Sequence, residues 1–234
     1  HRDDRTGIQR VVRNILAELQ RSPPAGYDIC PVYGTPEQGF CYTGTFDPAG
    51  QTRANDGRSV SVGPGDIFLG LDLAAHLFPQ AEQHLRAWRL AGAKVFYVVY
   101  DIIPLRHGQY AFPGIGEAFD VWLRALGRSA DGLLCISGAV AQDVAAWLHE
   151  QSPGAPLPHI THFHLGADME RTPQAQSLPP ESAEVLQHMQ ARPSFLMVGT
   201  IEPRKGHAQT LAAFELLWAQ GVQANLVIVG KTGW

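Results

Sequence analysis

The sequence of 234 residues contains only three cysteines and no long apolar run. Cys30, Cys41 and Cys135 are odd in number and scattered, which argues against a disulfide framework and favours a reducing compartment. No stretch reaches the roughly 18 apolar residues that a membrane-spanning helix needs, and residues 1–5 are too polar for a signal peptide. We therefore expect a cytoplasmic protein, with peripheral contact at the inner face of the cell membrane left open.

Charge and metal-binding patterns are also sparse. Lys and Arg number 18 against 22 Asp and Glu, a net charge of -4, so bulk electrostatics indicate no nucleic-acid partner. There is no Asp-X-Asp triplet. On a strand, His162 and His164 would share one face while His159 points to the other, and no cysteine or carboxylate completes a zinc site. We predict that no metal ion is required.

The most informative segment runs from Ser194 to Gly230. An apolar run over 195–198 ends at Gly199, and a short polar loop and an amphipathic helix pattern follow. A second apolar run, over 226–229, ends at Gly230. This order predicts a strand, a loop, a helix and a second strand.

Two cations, Arg204 and Lys205, stand at the start of the helix predicted in this segment. A helix start carries about half a positive charge, so cations there are unfavourable unless an anion is bound. Backbone N–H groups and both cations would then point at one phosphate. Alternatively, Glu202 pairs with either cation and the loop is an ordinary solvated surface. The charge pattern alone leaves both alternatives open.

Helices and strands alternate through the rest of the chain. The clearest helix covers 6–19, with apolar residues at helical spacing and a capping box formed by Thr6 and Gln9. The other predicted elements are strands at 27–33, 59–62, 66–71, 94–100, 132–136 and 159–165, and helices at 81–90, 115–128 and 139–149. Buried strands that alternate with helices indicate an α/β protein with a parallel sheet covered on both faces.

Polar residues and glycines stand where several predicted strands end. Asp101, Ser137, Gly199 and Gly230 occupy such positions, and open α/β sheets bind ligands beyond the carboxyl ends of their strands. Ser137 is expected to cap the helix that follows it rather than act as a nucleophile. Asp101 is either a pocket residue or an ordinary carboxylate at a strand end.

These motifs, in this order, resemble those of the group 1 (family 4) retaining glycosyltransferases of GT-B architecture. The start of their second domain is similar to VGTIEPRKGH, the helix after it and NLVIVG. Their first helix resembles TGIQRVVRNIL, and the strand and loop where many members have His-Asp resemble VVYDIIPLRH. A strand that ends in serine resembles DGLLCIS, and the turn toward the second domain resembles FHLGAD. The resemblance spans nearly the whole chain.

The resemblance implies two Rossmann-like domains, the second present only in part. Residues 1–170 would form the N-terminal, acceptor-side domain without its first strand, 171–192 a linker, and 193–234 the start of the nucleotide-sugar-binding domain. The chain alone would then lack turnover. Many members carry a cleft histidine where this chain has Tyr100. Because a phenol cannot replace an imidazole as acid or base at neutral pH, we assign the catalytic role to Asp101.

The resemblance also implies that a sugar moves from a nucleotide-diphosphate sugar to a saccharide or lipid-linked acceptor, with retention at the anomeric carbon. Many members transfer mannose from GDP-mannose during synthesis of bacterial surface polysaccharides such as lipopolysaccharide, so we expect that co-substrate and no separate cofactor. Two cations and three loop or helix-start positions would surround the donor diphosphate: Arg204, Lys205, Gly199, Thr200 and Gly7. Further cleft candidates are Ser137, Glu202 and Gly230.

Two other functions stay open on the sequence. A nucleotide-sugar epimerase or phosphorylase could use the same architecture, and an epimerase would need no acceptor. A degenerate, non-catalytic sugar-binding domain would account for the missing histidine and the short second half.

Overall fold

The computed structural model describes residues 7–43, 57–166 and 182–231. The chain divides into two compact units, His1–Gly166 and Ala167–Trp234, which we call the first and second unit. The predicted cap at Thr6 and the first part of the predicted linker, 171–181, lie outside the described residues.

Helices and strands alternate in the first unit as the sequence predicts. Its helices are α1 (Gly7–Arg21), α2 (Gln80–Leu90), α3 (Ile103–Arg106), α4 (Ile115–Ser129) and α5 (Gly138–Gln151). Its strands are β1 (Val32–Thr35), β2 (Gly39–Tyr42), β3 (Ile67–Gly70), β4 (Lys94–Val99), β5 (Gly132–Cys135) and β6 (His159–His162). The second unit has α6 (Ser182–Ala191), β7 (Ser194–Val198), a 3₁₀ turn (Pro203–Lys205), α7 (His207–Ala219) and β8 (Asn225–Val229).

Strands β3, β4, β5 and β6 form one parallel sheet in that order. The central strand β4 is rich in valine and aromatic residues, which favour a strand. Asp131 ties the amino ends together, because its carboxylate accepts a hydrogen bond from the Val95 N–H at 2.9 Å and one from Lys94 Nζ at 3.1 Å. The second unit repeats the pattern, since β7 and β8 pair in parallel and α7 connects them. The predicted α/β class is confirmed, and both units have Rossmann-like strand–helix–strand order.

The core of the first unit is built from the sheet and from helices α2, α4 and α5. Trp122, Leu123 and Leu126 of α4 are fully buried, together with Leu85 of α2 and Val95 of β4. Their spacing on α4 places one apolar stripe against the core. This packing fixes the sheet whose carboxyl edge carries Asp101 and Ser137.

Several predicted boundaries are wrong. The strand predicted at 27–33 begins only at Val32, and it pairs with β2 in an antiparallel hairpin that includes Gly34 and Gly39. Glycine is depleted in strands, so the propensity pattern hid this hairpin. The predicted strand at 59–62 is reduced to one bridge between Ser59 and Cys41. Strand β6 ends at His162 and does not continue to residue 165.

The described residues agree with the expected cysteine chemistry. Cys41 and Cys135 are buried thiols, Cys30 is exposed, and all three are free. Burial raises the pKa of the Cys135 thiol to about 11, so this side chain stays protonated at neutral pH. Within the described ranges, no helix is both long and apolar enough to cross a membrane.

The core assignment predicts unequal effects of two truncations on the same helix. Leu126→Ala should lower the free energy of unfolding by about 2–5 kcal/mol, because it opens a cavity in a closed core. Val121→Ala on the same helix should change it by less than about 0.5 kcal/mol, since Val121 is 39% exposed. Urea unfolding followed by circular dichroism measures both, and equal losses would contradict the assignment.

Candidate functional site

The carboxyl ends of β7 and β8 bring two predicted site glycines together in the second unit. Parallel pairing continues past the strands, because the Gly199 N–H donates to the Val229 carbonyl at 3.0 Å and the Ile201 N–H donates to the Lys231 carbonyl at 2.9 Å. A Cβ atom at Gly230 would overlap the carbonyl oxygen of Gly199. The two chain segments therefore approach as closely as glycine allows.

Gly199 leaves an open surface beside this pair of strands. Its φ is +154°, a conformation that residues with side chains rarely adopt. A Cβ atom there would meet no heavy atom within 4 Å. The glycine is therefore favoured by the backbone conformation rather than by packing, and no described heavy atom crowds the position of its Cβ. Thr200, the next residue, is exposed.

Arg204 and Lys205 do not stand at a helix start, so this part of the sequence prediction is wrong. They belong to the 3₁₀ turn Pro203–Lys205, and α7 begins only at His207. Gly206 separates the two elements with a φ of +73°, which glycine adopts readily. The conflict between the two cations and the dipole of α7 is therefore smaller than the sequence suggested.

Arg204 pairs with a buried carboxylate. Its Nη2 lies 2.6 Å from Oε1 of Glu202, whose side chain is 1% exposed against 32% for Arg204. The two atoms are not aligned as a hydrogen bond, and Glu202 Oε1 has no hydrogen-bond partner among the described residues. The alternative in which Glu202 pairs with one of the cations is therefore the one found. The pair is buried on the glutamate side, however, rather than fully solvated.

Lys205 is the cation that remains available at this edge. Its side chain is exposed, and no carboxylate in the described range 182–231 forms an ion pair with it. The Arg204 guanidinium thus compensates the negative charge of Glu202, whereas the ammonium of the neighbouring Lys205 does not. This asymmetry makes Lys205 the stronger candidate for binding an external anion.

His207 is a residue at this edge that the sequence analysis missed. It is the first residue of α7, and both of its ring nitrogens are buried without a hydrogen-bond partner among the described residues. Buried polar atoms are normally paired, so these two nitrogens are an exception among the described residues. A histidine right after an Arg-Lys-Gly run was the available signal, but nothing in the sequence indicates its burial.

Asp101 and Ser137 lie at the same edge of the first unit's sheet. They follow the neighbouring strands β4 and β5, which end in register at Val99 and Cys135. Ser137 Oγ accepts a hydrogen bond from the Val140 N–H at 3.2 Å, which confirms its predicted role as the cap of α5. Asp101 Oδ1 accepts one from the Ile103 N–H at 3.0 Å, an Asx turn that leads into α3. Asp101 therefore has the structural role expected of an ordinary carboxylate at a strand end. The turn uses only one of its two carboxylate oxygens.

Tyr100 is a buried structural residue beside Asp101. Its hydroxyl donates a hydrogen bond to the Leu71 carbonyl at 2.7 Å and so joins the carboxyl ends of β3 and β4. Burial, reinforced by the nearby charge of Asp72, raises the pKa of Tyr100 to about 12. Because the phenol stays protonated and engaged, it does not take the place of a catalytic imidazole at neutral pH.

His162, the last residue of β6, stacks on His164, which lies two residues beyond that strand. The rings of His162 and His164 lie 5.8 Å apart at an angle of 29°, which confirms that they share a face. In the part of the chain that is described, no group of three His, Cys, Asp or Glu side chains is placed to hold a metal ion. Metal independence stays a prediction.

The predicted site residues are divided between the units. The first unit holds Gly7, Asp101 and Ser137, and Gly7 begins α1 where a Cβ atom would meet nothing within 4 Å. The second unit brings together the strand ends and the turn that follow β7 and β8: Gly199, Thr200, Glu202, Arg204, Lys205 and Gly230.

Known proteins resemble this chain along its whole length. A serotype-specific mannosyltransferase, WbdA, of Escherichia coli is 44% identical over 238 residues, which are 99% of this chain and 29% of that protein. Another E. coli protein of the same name is 44% identical over 240 residues, 100% of this chain and 29% of the relative. The chain thus spans less than a third of the length of these relatives. The resemblance to glycosyltransferases that the motifs indicated is therefore confirmed for the part of these relatives that the chain spans.

No protein-family model matches the chain, and no solved structure shows significant similarity to it.

The close approach at the strand ends predicts that Gly230→Ala destabilises the second unit. The added methyl group must displace the Gly199 backbone, which should cost about 1–3 kcal/mol. Gly166→Ala, at the end of the first unit, is a control for the added methyl group alone, because a Cβ atom there meets no heavy atom within 4 Å among the described residues. Limited proteolysis at 182–231 should accelerate only in the Gly230 variant, and equal protection of both variants would contradict the geometry.

Proposed function

We propose that this chain is part of a retaining glycosyltransferase that moves mannose from GDP-mannose to a saccharide or a lipid-linked saccharide acceptor. The observation that carries the proposal is the 44% identity, over 99% and 100% of the chain, to two proteins named mannosyltransferases. The product would be a bacterial surface polysaccharide. Contact with the inner face of the cell membrane would follow if the acceptor is lipid-linked.

The second unit would bind the donor diphosphate. The difficult step is departure of the nucleoside diphosphate, during which negative charge grows on the leaving phosphate while the sugar becomes oxocarbenium-like. Fixed donors aimed at that charge lower the barrier. Lys205 is exposed. The Gly199 and Ile201 N–H groups are used in strand pairing, so the backbone donor offered to the phosphates beside Gly199 would be the Thr200 N–H.

Arg204 would contribute in a different way from Lys205. Because it already compensates the buried Glu202, its first role is to hold the turn between β7 and α7 in place. A guanidinium has five N–H donors, so the nitrogens that Glu202 does not engage can still reach the diphosphate. Arg204 is therefore a positioning residue that can also touch the ligand.

Asp101 would act on the acceptor in the first unit. Its Oδ1 is held by the Ile103 N–H, which fixes the plane of the carboxylate. The second oxygen can orient the acceptor hydroxyl or take its proton as the new glycosidic bond forms. The neighbouring Tyr100 cannot compete for this role, because burial raises its pKa to about 12.

Lys205→Ala should weaken binding of GDP and GDP-mannose by about tenfold or more, because it removes a charge-assisted contact to the diphosphate. The free energy of unfolding of the unliganded protein should stay within about 0.5 kcal/mol, since the side chain is exposed. Isothermal titration calorimetry and thermal shift with each nucleotide measure the two effects.

Two other substitutions in the same unit serve as controls. Arg192→Ala removes an exposed cation at the amino end of β7, the opposite end of that strand, and should leave binding unchanged. Arg204→Ala leaves Glu202 buried without its counter-ion and should lower stability by about 1–3 kcal/mol. If neither nucleotide binds, or if Lys205→Ala and Arg192→Ala behave alike, the donor assignment is wrong.

Asp101→Asn separates the catalytic role from the structural one. Asparagine also forms Asx turns, so the unfolding free energy should change by less than about 0.5 kcal/mol. Transfer of radiolabelled mannose by the complete protein should fall about a hundredfold or more, because the amide cannot accept the proton. Undiminished transfer would reduce Asp101 to a turn residue. Release of an altered sugar nucleotide without acceptor would favour an epimerase.

A further inference from the structure

A cavity of about 820 Å³ lies in the first unit at the edge of the sheet opposite Asp101 and Ser137. Its walls include Lys94, the first residue of β4, and Asp131, which directly precedes β5. The final turns of α2, α4 and α5 surround the rest of it. Its volume is in the range of small-molecule sites, and it contains none of the residues assigned to sugar transfer.

Four of the cations that line this cavity pair with two carboxylates, each of which is shared by two of them. Glu82 accepts hydrogen bonds from Arg86 Nη2 at 2.8 Å and from Arg128 Nη2 at 2.9 Å. Asp131 lies 3.3 Å from Arg89 Nε and 3.1 Å from Lys94 Nζ. A fifth cation, Arg124, is paired with Asp120 at 2.8 Å. Among the described side chains, five cations therefore line the cavity and pair with three carboxylates, of which only Asp131 lines it, in a chain whose net charge is -4.

Arg128 and Arg89 have structural roles. Both lie in the last turn of a helix, where a cation offsets the negative end of the dipole. Arg89 also donates to the Arg128 carbonyl at 3.4 Å. The side-chain hydrogen bond from Arg128 is the largest effect on Glu82 and lowers the pKa of that carboxyl.

Arg86 and Lys94 do not lie in the last turn of a helix, and each shares its carboxylate with a second cation. Their side chains are 56% and 63% exposed, so the ion pairs they add contribute little to stability. Each keeps N–H donors that its carboxylate does not use, since a guanidinium has five and an ammonium three.

The cavity also has an apolar wall without a partner. Leu90, at the end of α2, is 89% exposed, and Leu157 in the loop before β6 is 41% exposed. Both line the same cavity as Arg86 and Lys94. A ligand that complements both the cations and the exposed leucines of this cavity carries an anionic group and a hydrocarbon group.

We propose that this cavity binds an organic phosphate monoester, whose phosphate contacts Arg86 and Lys94 and whose carbon portion packs on Leu90 and Leu157. The site is separate from the proposed donor site, which uses Lys205 in the second unit. The proposal therefore stands or falls independently of sugar transfer.

Phenyl phosphate is a suitable probe, with inorganic phosphate as its counterpart without a carbon portion. Calorimetric titration of the intact chain should show binding of phenyl phosphate at millimolar concentration. Affinity should fall about tenfold or more in the double variant Arg86→Gln/Lys94→Gln, which leaves one cation for each carboxylate. Lys205→Ala should bind the probe as the unaltered chain does. Circular dichroism would establish that the double variant is folded.

Leu90→Ala tests the apolar half without altering charge. It should weaken phenyl phosphate and leave inorganic phosphate unchanged, and its exposure means that the fold does not depend on it. The proposal is overturned if phenyl phosphate does not bind, or if the double variant binds it normally. It is also overturned if inorganic phosphate binds as tightly as the ester. Loss of probe binding in Lys205→Ala alone would assign the probe to the donor site instead.

Discussion

A buried carboxylate decides how the cations after β7 are used. Glu202 is 1% exposed in its side chain and Arg204 is 2.6 Å away, so the guanidinium is committed to it, because an unpaired buried charge is strongly unfavourable. Lys205, one residue further on, is left exposed. The 3₁₀ turn and the positive φ of Gly206 hold these residues beyond the carboxyl ends of β7 and β8. The proposed binding of a diphosphate depends on this division of roles.

Parallel strand pairing explains why chemistry collects at particular edges. In the first unit, β4 and β5 end in register, so Asp101 and Ser137 emerge at one edge, while Lys94 and Asp131 mark the opposite one. At the carboxyl edge, Asp101 has a second carboxylate oxygen that its Asx turn does not use. The amino edge carries cations in excess of carboxylates, next to an exposed leucine. Two edges of one sheet thus present different ligand chemistry.

The sequence predicted most of the fold because buried strands and amphipathic helices have strong local patterns. Strands β4 and β5 and helices α4 and α5 lie within two residues of their predicted ends. The hairpin of β1 and β2 was misplaced because its glycines resemble a loop. Which cation pairs with Glu202 was not predictable, since it depends on the turn at Gly206. The amino-edge cavity was missed for a similar reason: Glu82 and Arg128 are 46 residues apart in sequence, and only the packing of α2 against α4 joins them.

The most direct test of the central claim is a crystal structure of the complete protein with GDP-mannose. The diphosphate should lie within hydrogen-bond distance of Lys205 Nζ and of the Thr200 N–H, with the Arg204–Glu202 ion pair intact. A diphosphate bound away from this turn, or a Lys205 side chain that makes no contact with it, would contradict the account.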